Sequence, residues 1–381
     1  MAALFALTAS LALSPAALAQ DGPGGNGRLD VLNARGEVTP LQPVLVISET
    51  LDEVRFRRGS SSRTETRRTD QVVHIEYGTG SDTYESALAA LDDGDLVQAV
   101  NLLTAAAEQD EPGWQAAVAL LKLGETQARR GGSHLAEARS TLDSFLSEHP
   151  DHRRLPEALL LRGRYALAAG EASAMETAAQ RVAQLVEQGR TPGTWKARAE
   201  IELGDSLLAN DRASEAQASY KAAQATAERA RSDLAERADL VAELDRLALD
   251  ARSGTGSALL AAGDLRAART YFEALQADAG GARGVEVAAL NGLAQVDLEE
   301  GGHDKLKQAQ LGFAKAAVLG AAIDDQHAKS LYFLGRCALA LAETGSGDAN
   351  GARAEAREYA KLVQARYPES RWARMARESL P

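Results

Sequence analysis

The amino-acid sequence predicts a mainly α protein, a solenoid of helix pairs preceded by a small β-barrel-like module. Three observations carry this prediction. The chain of 381 residues is 45% hydrophobic but only 4% aromatic, and a core built from alanine and leucine lets helix axes approach closely. Apolar and polar residues alternate with period two over parts of residues 28–79, and a helix-pair pattern recurs from Tyr84 onward.

The N-terminal segment, residues 1–19, is predicted to be a signal peptide. It carries no charged residue, and its apolar stretch ends at a small-residue cleavage site, Ala-Leu-Ala at positions 17–19. No Lys or Arg precedes the apolar stretch, and the alternative is a disordered apolar N-terminus or an uncleaved anchor. Residues 20–27 are rich in glycine and are predicted to form a flexible linker. We therefore expect an exported protein, periplasmic or secreted, whose mature chain has no transmembrane segment.

Residues 28–79 are predicted to form a small SH3-like β module. The runs Val54–Arg57 and Val73–Tyr77 alternate apolar and polar side chains, and Gly59–Ser62 between them is typical of a turn. Eight arginines and eight acidic residues cancel within the module. Because so short a chain buries little surface, we expect the module to need the helical part for stability.

Residues 82–381 repeat one motif: a short helix with a small residue on its packing face, a turn, and a second helix with apolar residues at fixed offsets. The two clearest copies share their internal spacing, and they read Gly204, Leu207, Ala216, Tyr220, Ala223 and Gly256, Leu259, Ala268, Phe272, Leu275. Ala222–Asp250, rich in Ala, Glu, Arg and Leu, predicts unusually long helices. Tyr367-Pro368 ends the last copy, and a terminal helix containing Trp372 is expected to cap it.

This spacing resembles the tetratricopeptide repeat (TPR), in which a small residue lies where two helices touch and Ala and Phe or Tyr follow on the second helix. The resemblance covers about seven degenerate units. Successive contact glycines at 124, 163, 204, 256, 292 and 335 are 39, 41, 52, 36 and 43 residues apart, longer than the family period of about 34. The resemblance implies an α-solenoid that binds other proteins.

The C-terminal segment Tyr359–Leu380, in which a Tyr-Pro-x-Ser turn leads into a final helix, is similar to the ends of bacterial envelope repeat proteins of the Tol-associated coordinator and outer-membrane assembly lipoprotein type. This similarity implies a role in organising or assembling the cell envelope. The chain has no lipobox cysteine and no N-terminal coiled coil of the coordinator type, so the specific partners of those families do not follow.

No combination of residues in the sequence predicts catalysis, a cofactor or a metal. The histidines at 149 and 152 are the only close pair, and they lack a third ligand. The single cysteine, Cys337, lies in an apolar run and is expected to be a buried core residue. The net charge of −12 disfavours nucleic acid as a partner because it repels phosphate.

In the TPR family, the inner face of the first helices forms a partner groove. The resemblance implies that protein or peptide partners bind at exposed groove positions, namely Glu157, Leu160, Arg164, Arg198, Ile201, Asp205, Lys329, Tyr332 and Arg336. Packing between neighbouring repeats is the alternative for Leu160 and Ile201. Mixed charges in this set suit an extended peptide or a helix.

A second hypothesis concerns the ribbon Arg55–Arg68, which has six arginines and one acid, Glu65. It could bind a polyanion or an acidic partner, but acids flank the ribbon on both sides, so a solvated hairpin face is the favoured interpretation. A third hypothesis is that the chain is an accessory subunit of an envelope enzyme.

Overall fold

The structure is a computed structural model that describes residues 26–33, 35–109, 112–171, 173–344, 348–368 and 370–381. The predicted signal peptide, residues 1–19, and most of the predicted linker lie outside the described residues. The described part contains an N-terminal β-sheet followed by a long series of helices, so the mainly α architecture is confirmed.

The N-terminal sheet is antiparallel and has five strands in the order β4-β3-β2-β1-β5. The strands are β1 (Gly27–Leu32), β2 (Val38–Glu49), β3 (Glu53–Arg58), β4 (Thr64–Arg68) and β5 (Val72–Glu76), and a 3-10 turn at Thr69–Gln71 joins the last two. Period-two alternation turns Val54 and Phe56 inward, where both are fully buried. The strands β4 and β5 are the two edges of the sheet.

Fifteen helices follow in the described residues. They are α1 (Asp82–Asp92), α2 (Leu96–Ala107), α3 (Gln115–Arg130), α4 (His134–Glu148), α5 (Leu155–Ala168), α6 (Ala174–Glu187), α7 (Gly193–Ala209), α8 (Ala213–Asp233), α9 (Ala238–Ala261), α10 (Leu265–Ala277), α11 (Arg283–Glu300), α12 (His303–Leu319), α13 (Asp324–Glu343), α14 (Ala349–Arg366) and α15 (Arg371–Ser379). The two long helices predicted around Ala222–Asp250 are α8 and α9, of 21 and 24 residues.

Consecutive helices pack against each other, and the odd-numbered helices from α3 to α15 also contact one another. The described helices therefore form seven pairs, with α15 following the last pair. Because the first helices of successive pairs are in contact, they form the inner layer of a curved solenoid and the even-numbered helices form its outer layer.

Glycines in the inner layer make room for aromatic rings from the outer layer. A Cβ atom at Gly204 would lie 2.7 Å from the ring of Tyr220, and one at Gly254 of the next pair would lie 2.4 Å from the same ring. Phe272 is enclosed in the same way, because a Cβ at Gly256 or at Gly292 would overlap its ring. Each ring thus packs between two first helices and joins one repeat to the next.

The sheet is not a separate packing unit. Its buried residues, including Phe56, share one hydrophobic core with α1, α2 and α3, to which Tyr84, Leu103, Trp114 and Val118 belong. The ring of Trp114 stacks on Tyr77 at a centroid distance of 4.6 Å. The sheet and the first three helices are therefore expected to unfold together.

Candidate functional site

The nine groove residues implied by the TPR resemblance all lie on inner helices. Glu157, Leu160 and Arg164 lie on α5, Arg198, Ile201 and Asp205 on α7, and Lys329, Tyr332 and Arg336 on α13. Whether any of them binds a partner stays a prediction.

Three of the nine residues are buried. The expectation of exposure is wrong for Lys329 and Tyr332, whereas for Leu160 the alternative, packing between repeats, accounts for its burial. Leu160 is 2% exposed and belongs to a cluster shared between α5, α6 and α7. Lys329 and Tyr332 are each 1% exposed because α15 packs on this part of α13. The Tyr332 hydroxyl lies 3.0 Å from the hydroxyl of Ser379, and the Lys329 ammonium lies 5.7 Å from the ring centre of Trp372.

The charged groove residues of α7 and α5 are partly exposed, and each has a partner within the chain. Arg164 donates to Glu202 at 2.7 Å, and Arg198 donates to Glu243 at 2.5 Å. Asp205 accepts hydrogen bonds from two side chains described below. A partner that used these groups would have to compete with existing ion pairs, which lowers the net gain.

Ile201 and Arg336, the remaining two groove residues, are partly buried. Ile201 packs against the cluster shared by α7, α8 and α9, so packing between repeats, the alternative weighed for this residue, accounts for it.

A cleft of about 960 Å³ opens between the sheet and the solenoid, and we call it the sheet–solenoid cleft. Its volume lies near the upper end of the range typical of ligand sites, about 300–1,000 Å³. The sheet contributes the turn between β2 and β3, the end of β4, the 3-10 turn and the start of β5. The solenoid contributes the first turns of α5, α7 and α9 and the loops that precede them. Glu157 and Arg198 are the two groove residues in its lining.

The sheet–solenoid cleft has an apolar part and a charged part. Trp195, Leu234 and Leu240 provide half-buried apolar surface on the solenoid side, and Leu51 and Val72 face them from the sheet. Six arginines and five acidic residues complete the lining, namely Arg68, Arg153, Arg154, Arg190, Arg198, Arg237, Asp52, Glu53, Asp70, Glu157 and Glu243.

Three contacts span the cleft and hold the sheet on the solenoid. The Arg237 guanidinium donates to the backbone carbonyl of Asp70 at 2.8 Å, and Arg190 forms a 3.0 Å ion pair with Asp52. The backbone N–H of Leu51 donates to the carbonyl of Asp151 at 2.6 Å. Because these contacts lie around the opening, they fix its width in this conformation.

Ion pairs inside the cleft orient its polar groups. Arg154 holds Glu157 through two hydrogen bonds of 2.7 and 2.8 Å. The Arg198 guanidinium lies over the ring of Trp195, 4.8 Å from its centre, while it pairs with Glu243. These arrangements keep one face of the indole covered by a cation and preorganise the carboxylates of the lining.

A buried polar cluster lies beside the cleft, where β2 meets the loop before α5. The Glu49 carboxylate is 1% exposed; it accepts hydrogen bonds from Tyr77 and from Arg153, the latter at 2.9 Å, and lies 3.6 Å from Nε2 of His152. Burial alone would raise the pKa of Glu49, but the positive charge of Arg153 and the hydrogen bonds from Tyr77 and Arg153 hold it below its usual value.

His152 is neutral in this cluster. Burial lowers the pKa of His152 to about 4, against the opposing effect of Glu49. Its Nδ1 accepts a hydrogen bond from the backbone N–H of Arg154 at 3.1 Å. Among the described residues, no three His, Cys, Asp or Glu side chains lie close enough together to hold a metal ion.

Sequence reasoning missed most of the sheet–solenoid cleft. Arg237, Trp195 and Leu240 were not among the predicted site residues, because the repeat pattern contains no information about where the N-terminal sheet packs. One local signal was available in the sequence. Trp195 follows the Pro192-Gly193 helix start by two residues, and an aromatic residue at a repeat turn has little core to enter.

No protein-family model matches the chain, and no curated protein matches it. Several solved structures are similar. A tetratricopeptide repeat protein from Parabacteroides merdae shares 20% identity, with 66% of this chain and 98% of that chain covered and a TM-score of 0.31. The apo form of RapI shares 10% identity over 78% and 79% of the two chains, with a TM-score of 0.40.

The TPR domain of P58(IPK) shares 13% identity over 78% of this chain and 76% of that chain, with a TM-score of 0.26. With identities of 20% or less and TM-scores below 0.5, these similarities say nothing about what this chain binds. The described helices lack the combination of length and apolar character that spanning a membrane requires.

Proposed function

We propose that the chain is an exported, non-catalytic scaffold for protein–protein interactions, and that an extended segment of a partner binds in the sheet–solenoid cleft. The observation that supports this proposal is the cleft itself. It is large, and it combines half-buried apolar side chains with preorganised charges, which is the composition typical of peptide sites. The inner groove near α13 is a weaker candidate because α15 covers Lys329 and Tyr332.

A role in cell-envelope organisation or assembly is part of this proposal. It is supported by the predicted signal peptide and by the C-terminal similarity to envelope repeat proteins. The SH3-like assignment of the sheet is also proposed, and it is supported by the strand order β4-β3-β2-β1-β5 and by the 3-10 turn before the last strand.

Site-specific photo-crosslinking tests the binding site. A photoreactive p-benzoylphenylalanine at position 240, inside the cleft, is expected to crosslink to a partner in cells of the native host. The matched control places the same residue at position 311, where Leu311 is 57% exposed on α12, and should give no such product. Crosslinks to a partner at 311 and none at 240 would overturn the cleft as the binding site.

Export is tested by N-terminal sequencing of protein recovered from the native host. A chain that begins at Gln20, recovered from the periplasm or the medium, supports the proposal. Cytoplasmic material that retains Met1 contradicts both the export and the envelope role.

A further inference from the structure

The strand β4 is an edge strand whose outer side is open. All five of its residues pair with β3, and no strand in the described residues pairs with its other side. Its side chains are exposed or only partly buried on both faces. An open edge presents a row of backbone donors and acceptors to which an extended chain can add.

The hairpin formed by β3 and β4 carries a strong positive charge on an acidic protein. Residues 55–68 hold six arginines and one glutamate, whereas the whole chain has a net charge of −12. Three of the arginines pair with acids: Arg55 with Glu53, Arg58 with Glu65 and Arg68 with Asp70.

The other three arginines, Arg57, Arg63 and Arg67, contact no carboxylate in the described part of the chain. Arg57 is exposed, and its neighbour Phe56 is fully buried, so the strand beneath these charges is firmly anchored. The free charges favour an acidic partner, and they attract it most strongly at low salt.

The strand β4 also leads into the sheet–solenoid cleft. Thr66 and Arg68, at alternate positions near its end, are both part of the cleft lining. A segment that binds in the cleft can therefore continue along the open edge without a sharp turn.

We infer that the partner segment is acidic and adds to the outer edge of β4 as a sixth strand. This inference rests on the proposed function, because it extends the segment that occupies the cleft. Side chains at every second position of a strand repeat at about 6.6–6.8 Å. Arg55 and Arg57 of β3 and Arg68 of β4 lie on one face of the sheet. Carboxylates at every second position of the added strand would lie on that same face, with the spacing of Arg55 and Arg57 and next to β4, the strand that carries Arg68.

Fluorescence anisotropy with designed peptides tests this inference on the unaltered chain. The probe is a fluorescein-labelled decapeptide of alternating Glu and Val, and it is expected to bind. A Lys-Val peptide of the same length is expected not to bind. A Glu-Val peptide methylated on alternate backbone nitrogens keeps its charge but loses one hydrogen-bonding edge, and it should bind at least about tenfold more weakly.

Protein variants separate the hairpin from other basic surfaces. Arg57 and Arg68 lie on the same face of the sheet as the carboxylates of the added strand. The double variant Arg57→Ala/Arg68→Ala is expected to weaken binding of the Glu-Val peptide about tenfold, an effect that shrinks as salt is raised. The control Arg353→Ala/Arg357→Ala removes two exposed arginines of α14 and should leave binding unchanged. Unchanged thermal unfolding of both variants shows that the loss of peptide binding in the hairpin variant does not come from misfolding.

Three results would overturn the inference. Equal binding of the methylated and unmethylated peptides excludes strand addition, and equal binding by the hairpin variant excludes this edge. Displacement of the peptide by heparin, together with tighter binding of heparin itself, identifies a polyanion surface in place of an acidic strand. None of these results affects a partner crosslink at position 240, so the proposed function is tested separately.

Discussion

Arg371 of α15 donates a hydrogen bond to the Asp205 carboxylate of α7 at 2.8 Å, joining two helices that are 166 residues apart in sequence. The same carboxylate oxygen accepts a 2.6 Å bond from the hydroxyl of Tyr220. Helix α15 follows the last pair and α7 begins the fourth, so this contact spans the inner side of the solenoid. Helix α15 thus fills the inner groove of the solenoid near the C-terminus, and the β-sheet packs against the solenoid near the N-terminus.

The first prediction is that Arg371→Ala loosens the C-terminal half of the solenoid. Both side chains of the pair are more than a third exposed, so the free energy of unfolding should fall by only about 1 kcal/mol or less. Hydrogen–deuterium exchange is the more sensitive measurement, and it should show faster exchange in α15.

Arg374→Ala provides the matched control, because Arg374 is an exposed residue of the same helix. It should leave exchange in α15 close to that of the unaltered chain. Identical exchange profiles for the two variants would show that the contact between α15 and α7 does not restrain the solenoid.

The second prediction is that Gly204→Leu destabilises the chain. A Cβ atom at this position would lie 2.7 Å from the Tyr220 ring, and that ring is also enclosed by Gly254. Overpacking should lower the free energy of unfolding by about 1–3 kcal/mol, although leucine has the better helix propensity. Ala209→Leu, at an exposed position near the end of the same helix, is the control in urea unfolding. A stability equal to or above that of the control would contradict this packing.

The sequence predicted these helix contacts because they are local. Gly204 and Tyr220 are 16 residues apart, as are Gly256 and Phe272, and one repeated offset is enough to reveal a helix pair. The offset does not identify the second neighbour of each ring. A Cβ at Gly292 would meet Phe272 of the preceding pair, and this follows only from how pairs stack.

The exposure of the groove was predicted less well, for a physical reason. Whether Lys329 is exposed depends on whether α15 packs over α13. Asp205 meets Arg371 only because the curvature of the solenoid brings α15 to α7. Curvature is the sum of small rotations at every repeat interface. The spacing between contact glycines varies from 36 to 52 residues. The sequence pattern alone therefore does not determine the curvature of the solenoid.

The third prediction is that Trp114→Ala unfolds the sheet together with α1, α2 and α3. Trp114 is 1% exposed and stacks on Tyr77 in the core that the sheet shares with these helices. Removing it should lower the local free energy of unfolding by about 3–5 kcal/mol. Hydrogen exchange resolved by peptide should show lost protection in β1–β5 and α1–α3, with α11–α14 little changed.

Phe313→Ala is the counterpart at the other end of the solenoid, since Phe313 is fully buried in the C-terminal core. It should produce the reverse pattern, because each repeat contacts mainly its neighbours. If Trp114→Ala left the sheet fully protected, the sheet would be an independent domain.

The last prediction concerns acid sensitivity at the junction of sheet and solenoid. Burial lowers the pKa of His152 to about 4, whereas an unfolded chain gives a histidine pKa of about 6.5. Between these values the unfolded state binds the proton and the folded state does not. The contribution of His152 to stability is therefore complete above about pH 6.5 and falls by about 3 kcal/mol as the pH drops to about 4.

His152→Asn should remove this part of the pH dependence. The Asn amide oxygen can take over the hydrogen bond from the backbone N–H of Arg154, and it binds no proton in this range. Free energies of unfolding from urea titrations at pH 7.5 and pH 4.5 should therefore differ less in the variant than in the unaltered chain. Some slope should persist because partial burial also lowers the pKa of His149. His134→Asn, on the outer helix α4, is the control for replacing a histidine by asparagine as such. A slope that is equally steep in His152→Asn would mean that folding does not lower the pKa of His152, which contradicts its burial beside Arg153 and Arg154.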